Sequence, residues 1–117
     1  MSIRLLMEQK LYGLYELDDV GTVLYSRMEP EGETPTIAPD DVAGRNFYDD
    51  VASFRNVEEF RRLVVQFTRG ASPADNFEFD CLYEDCALPV KVLLARIRER
   101  VHHDRTKSVL VHIRRAA

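Results

Sequence analysis

The side chains that could do chemistry in this chain are few and scattered. Cys81 and Cys86 stand five apart, with "LYED" between them. A disulfide at that spacing would need a matching turn and an oxidising compartment. Cys81 alternates with aromatic residues in "FEFDCLY", which predicts a small buried hydrophobe. Cys86 falls in the turn that follows and is the one candidate redox-sensing thiol. His102 and His103 are adjacent beside Asp104, but neighbouring side chains on extended backbone diverge and make a poor chelate. His112 stands alone between Val111 and Ile113, and Asp49 and Asp50 read as a solvated pair. No nucleophile elbow, P-loop or dinucleotide fingerprint occurs. The expectation is no catalytic site and no metal site. One enzyme alternative stands beside it: small cone-shaped α+β isomerases use one buried carboxylate, which here would be Glu29 or Glu16.

The elements that would position these residues are legible from period and punctuation. "LYGLYEL" (11–17) and "TVLYS" (22–26) are β-rich runs separated by Asp18, Asp19, Val20 and Gly21, a hairpin pattern. The following "RMEPEGETPTIAPDD" is broken by three prolines and a glycine, with "APDDVAG" as one short helical turn from Pro39 to its stop at Gly44. "NVEEFRRLVVQFTRG" is the clearest helix. Val57, Phe60, Val64 and Phe67 form one apolar stripe, Asn56 is placed to cap it, and Glu59 three residues on is placed to reach the cap amide. Gly70 supplies the stop. In "NFEFDCLYED" the period becomes two, with Phe77, Phe79, Cys81 and Tyr83 on one face. "PVKVLLARIRER" and "KSVLVHIRR" add two strands around the turn "VHHDRT". Strands at both ends with helices between predict an α+β fold: a single five-stranded antiparallel sheet with short helices and one longer helix on one face.

The 117 residues fit one domain. Residues 1–10 read as an N-terminal cap segment and 11–117 as the domain proper. Net charge is −4, unevenly spread: residues 1–90 carry −10 and residues 91–117 carry +6. The basic segment has no aromatic to stack a base and no groove-entering helix, so nucleic acid is not an expected partner. No apolar run is long enough to span a bilayer and the N-terminus lacks a secretory pattern, so a cytoplasmic protein with reduced thiols is the expectation.

The order of elements and three stretches together resemble a PAS domain, and within that superfamily the photoactive yellow protein family. "LDDVGTVLYS" resembles the family's "LDGDGNIL" hairpin, "GRNFYDDVA" its "GKNFFKDVAP", and "FEFDCLYEDCALPVKV" its aromatic strand running into "KVKV". The likeness runs from about Leu11 to Arg114. It implies a hydroxycinnamoyl chromophore held by thioester to a cysteine just after "DVA". Here the chain reads "DVASFRN", and the position falls on Phe54, which offers no nucleophile. The phenolate-binding tyrosine position falls on Ser26 and the glutamate most nearly on Glu29, while Tyr25 is one residue out of register and faces the other way. Haem-binding PAS domains usually present an axial histidine from the long helix or its approach, and this helix has none. Neither a hydroxycinnamoyl chromophore nor haem is expected.

The resemblance without its chemistry predicts a non-photoactive PAS-type sensory or regulatory module. It would act through protein contacts, with room for a small apolar ligand in the core. Pocket candidates are Glu29, Phe47, Phe54 and Phe60, with Val64, Phe67, Phe79 and Cys81. The alternative is a pure interaction or dimerisation module in which those side chains fill the core. The outer face of the sheet is apolar in part, through Leu82, Leu93 and Leu110, and asks to be covered. A homodimer through that face is expected, with Ile3, Leu5 and Leu6 of the N-terminal segment as a cap or as part of the interface. The chain ends soon after its last strand, so its output is expected to pass through a separate signalling or regulatory protein.

Overall fold

The computed structural model describes residues 11–28, 42–102 and 105–116. The expectations placed on Ile3, Leu5, Leu6, Glu29 and the "APDD" turn lie outside these residues. Five strands and one long helix follow in order. They are β1 (Gly13–Leu17), β2 (Val23–Met28), one turn of π-helix (Phe47–Val51), α1 (Val57–Arg69), β3 (Ala74–Leu82), β4 (Ala87–Arg98) and β5 (Thr106–Arg115). All strand pairs are antiparallel, in the spatial order β2-β1-β5-β4-β3. The first described strand thus lies beside the last, and β3 forms one edge. No described helix is long and apolar enough to cross a membrane.

The period-two pattern sorts the side chains by face. Leu88, Val90, Val92 and Leu94 of β4 are buried on the inner face, alternating with exposed Ala87, Pro89, Lys91 and Leu93. Val109, Val111 and Ile113 of β5 join them, as do Tyr15 and Leu17 of β1 and Phe79 and Cys81 of β3. On the outer face Tyr25, Glu16, Leu110 and Ala95 stand opposite one another across four strands, and His112 stands opposite Leu93. Leu93 is 40% exposed, Leu82 42% and Tyr25 49%, so the outer face does present apolar surface. Ser26, one residue from Tyr25, is buried on the inner side opposite Tyr15.

The hairpin joining β1 and β2 turns on Asp18. Its Oδ1 accepts from the Val20 and Thr22 amides at 3.0 and 2.8 Å. Gly21 has φ +91°, and a Cβ there would meet Tyr48 Cε2 at 2.6 Å, so both conformation and space call for glycine.

Helix α1 lies on the inner face, with Phe60, Val64 and Phe67 buried along one stripe as the spacing predicts. Its two ends depart from expectation. Asn56 makes no side-chain cap. Its amide pairs instead with the end of β3: Nδ2 donates to the Asp80 carbonyl at 2.8 Å, and Oδ1 accepts from the Leu82 amide at 3.0 Å. A carboxamide matches the donor and acceptor of an extended strand, and this strand edge supplied both. Gly70 is extended (φ −82°, ψ −168°), not left-handed, so its lack of a side chain does not stop the helix. Arg96, on the inner face of β4, does the capping. Its guanidinium donates to the carbonyls of Phe67 (2.5 Å), Thr68 (2.9 Å) and Ser72 (3.1 Å) and lies 4.8 Å from the Phe67 ring centre. A planar fork of donors beside the negative end of a helix satisfies its last carbonyls, that of Phe67 being shared with the Gly70 amide at 3.1 Å.

Candidate functional site

The side chains expected to line a core pocket converge on one cluster. Asn46 starts it. Its Oδ1 accepts from the amides of Tyr48 and Asp49, and its Nδ2 donates to the Val20 carbonyl at 3.0 Å. Those bonds fix the π-turn against the hairpin, and the amide of Phe47 donates to the Gly21 carbonyl at 2.8 Å. Phe47 therefore points inward, fully buried, with its ring centre 4.9 Å from that of Tyr15.

Phe54 follows the turn and is buried among three rings. Its centre lies 5.8 Å from Phe60, 5.9 Å from Phe79 and 6.1 Å from Tyr83. Phe60 completes the set at 5.3 Å from Phe79 and 5.9 Å from Phe47. The Phe60–Phe79 and Phe54–Phe60 pairs are edge-on, near the arrangement the ring quadrupoles favour, each worth roughly 0.5–1.5 kcal/mol beyond area burial. Val64 and Phe67 extend the stripe along α1, away from Phe54. Of the predicted site residues, then, Phe47, Phe54, Phe60, Val64, Phe67, Phe79 and Cys81 all belong to one buried cluster.

The titratable groups near it are held neutral. Burial, with Asp80 adding to it, pushes the Cys81 thiol up to about 12, so it carries no useful thiolate at neutral pH. Burial also raises the phenols of Tyr15 and Tyr83 well above their ordinary range, with Tyr83 adding to the first shift and Cys81, Cys86 and Tyr12 to the second. Cys81 and Cys86 are both free. Cys86 is half-buried, and its carbonyl accepts from the Tyr83 amide at 2.8 Å.

The remaining candidates lie apart. Glu16 is on the outer face of β1, where its carboxylate accepts from Ser108 Oγ at 2.7 Å. It does not enter the apolar core that an isomerase base would require. His102 is exposed and His112 is half-buried on the outer face. Among the described residues no three His, Cys, Asp or Glu side chains gather as a metal site would. Sequence reasoning missed Asn46, Asn56 and Arg96 as the side chains that join segments. It also missed Tyr48, which packs on Gly21 and lies beneath the Arg61 guanidinium at 5.4 Å.

Comparison with known proteins places this geometry. The sequence is 34% identical over 82 residues to photoactive yellow protein from Rhodothalassium salexigens. The match takes in 69% of this chain and 62% of that protein, so the chain spans less than two thirds of its relative. The photoactive yellow protein domain of the sensor histidine kinase Ppr from Rhodospirillum centenum superposes with TM-score 0.62 at 17% identity, covering 88% of this chain and 90% of that one. This chain is a PAS domain similar to photoactive yellow protein. The PAS domain of BvgS from Bordetella pertussis shares the fold with TM-score 0.63 at 11% identity, over 98% of this chain and 84% of that one. So does a sensory box sensor histidine kinase from Vibrio cholerae, with TM-score 0.59 at 9% identity, over 96% of this chain and 87% of that one. No family model matches the sequence. In this PAS domain the buried rings around Phe54 belong to the same face of the sheet that α1 covers.

Proposed function

We propose that this PAS domain is a regulatory module that carries no hydroxycinnamoyl chromophore and works through protein contacts made by the outer face of its sheet. The observation that carries the reading is Phe54, 2% exposed and packed against Phe60, Phe79 and Tyr83. Family resemblance puts the chromophore-bearing cysteine at this position, and a phenyl ring cannot form a thioester. The sensor histidine kinases among its structural neighbours favour a sensory role. Leu93, Leu82 and Leu110 on the outer face, with Tyr25 near one edge, suit a homodimer or a separate signalling protein. No catalytic step is assigned to the chain, and no haem.

Light scattering on the full chain tests the contact surface. A dimer that Leu93→Arg converts to a monomer, with the fold retained by circular dichroism, supports it. A wild-type monomer at high concentration that binds nothing through this face opposes it. A second reading, an interaction module with its core filled by its own side chains, draws support from the same ring contacts. A small apolar ligand released by solvent extraction of fresh protein would argue against that second reading.

A further inference from the structure

A groove of about 240 Å³ opens between the C-terminal half of α1, the hairpin after β1 and the start of β5. Its floor is apolar, made by Leu17, Val64, Val65 and Val109. Three cations line it: Arg61 and Arg69 from α1 and Lys107 from β5. Two acids also border it, but Asp18 already accepts the Val20 and Thr22 amides through Oδ1, which leaves Asp19 as the acid without a turn to serve. The groove hydroxyls of Thr68 and Thr106 are occupied too, the first donating to the Val64 carbonyl and the second accepting from Arg96.

Tyr48 differs from every other group there. It is 7% exposed and lines the groove, yet among the described residues its hydroxyl takes no hydrogen bond. The hydroxyl is open to the groove, where an incoming acceptor can reach it. Burial holds its pKa up at about 12 although Arg61 pulls the other way, so at neutral pH it is a donor with a proton to give. The Arg61 guanidinium lies over its ring, 5.4 Å from the centre, and is only loosely engaged by Glu58 at 3.9 Å on the exposed helix surface. A hydroxyl donor, a guanidinium and two further cations above an aliphatic floor together describe the complement of an anion with an apolar body.

We propose that this groove binds a small carboxylate with a short apolar chain or ring, its oxygens taken by Tyr48 and Arg61 and its body laid on Leu17, Val64, Val65 and Val109. The volume lies below the roughly 300–1,000 Å³ of drug-sized sites, which limits the ligand to a small metabolite-like acid. The site is distinct from the ring cluster around Phe54 and shares only Val64 with the core pocket expected from sequence.

The test is an amide NMR titration of the full chain with hexanoate, set against hexanol and inorganic phosphate. Hexanoate should give saturable shifts centred on Tyr48, Arg61, Val65 and Val109. Hexanol and phosphate should each bind about tenfold more weakly, the one lacking the charge and the other the apolar body. Tyr48→Phe removes one oxygen and should weaken hexanoate roughly tenfold, the scale of a hydrogen bond to a charged group. Arg61→Gln, at an exposed helix position, should weaken it several-fold and keeps the test open should Tyr48→Phe fail to fold. The proposal is overturned by the absence of saturable shifts, or by hexanol or phosphate matching hexanoate. Unchanged affinity in the folded variants would overturn it as well.

Discussion

The two ends of α1 meet the same sheet in opposite ways. At the N-terminal end Phe60 sits among Phe47, Phe54 and Phe79, and rings occupy the space between helix and strands. At the C-terminal end the residues facing β5 are Val64, Val65 and Thr68, too short to reach across, and a groove remains. The tethers differ as well. Asn56 ties the first end to β3 through one neutral amide, while Arg96 ties the second through a charged fork. One apolar stripe with a single period thus produces a dry end built for stability and an open end lined with cations. Side-chain length decides which is which.

Substitutions at five positions sharpen this contrast, and the largest effect belongs to the dry end. Phe60→Ala should cost about 3–5 kcal/mol in urea unfolding, because four aromatic neighbours lose a shared partner. Val64→Ala, nearer the groove, should cost about half as much or less, since its surroundings are already incompletely packed. A cost for Val64→Ala equal to that of Phe60→Ala would erase the distinction between the ends.

Next in size is the charged tether. Arg96→Met should lose about 1.5–3 kcal/mol of thermal stability, the scale of hydrogen bonds from a charged donor. Arg96→Lys should recover part of that, since an ammonium keeps the charge but not the fork. Full recovery by lysine would show that charge alone matters.

The neutral tether gives a smaller but more discriminating result. Asp is as good a helix cap as Asn. At position 56 it should nonetheless destabilise by about 1 kcal/mol or more, because it loses the donor to the Asp80 carbonyl and sets a carboxylate against it. A neutral or stabilising Asn56→Asp would restore the capping role that the sequence suggests. The smallest effect is Gly70→Ala, expected between zero and about 1 kcal/mol of stabilisation, since the backbone there is already extended and the added Cβ would meet nothing closer than 3.5 Å.

The pH response should report the dry end too. The folded pKa of Cys81 is raised from its ordinary 9.0 to about 12, so its neutral form favours the native state. That contribution is complete below about pH 9 and is lost as the pH climbs through 12. Denaturation monitored between pH 8 and 12 should therefore show stability falling with pH, and Cys81→Ala should shallow that fall.

Much of this was legible in the residue pattern, for reasons of period. Alternation in "FEFDCLY" places Phe79 and Cys81 inward and Leu82 outward, and the spacing of Phe60, Val64 and Phe67 fixes the buried face of α1. The five-stranded antiparallel sheet follows from strands grouped at either end of the chain. Asn56 and Arg96 were not legible because their partners are 24 to 29 residues away, and no local spacing reports such a contact. Local rules assigned Asn56 to the helix and Gly70 to its stop, and tertiary partners overrode both. The groove was hidden for the same reason. Tyr48, Arg61 and Lys107 share no period and meet only when the π-turn, α1 and β5 are brought together.

The claim on which the functional reading rests is that a ring stands where photoactive yellow proteins bind their pigment. Visible absorption and intact mass after incubation with an activated hydroxycinnamoyl thioester measure it directly. The expected result is a colourless protein of unchanged mass. A stable visible band with one added hydroxycinnamoyl group, mapped to Cys81 or Cys86, would contradict it.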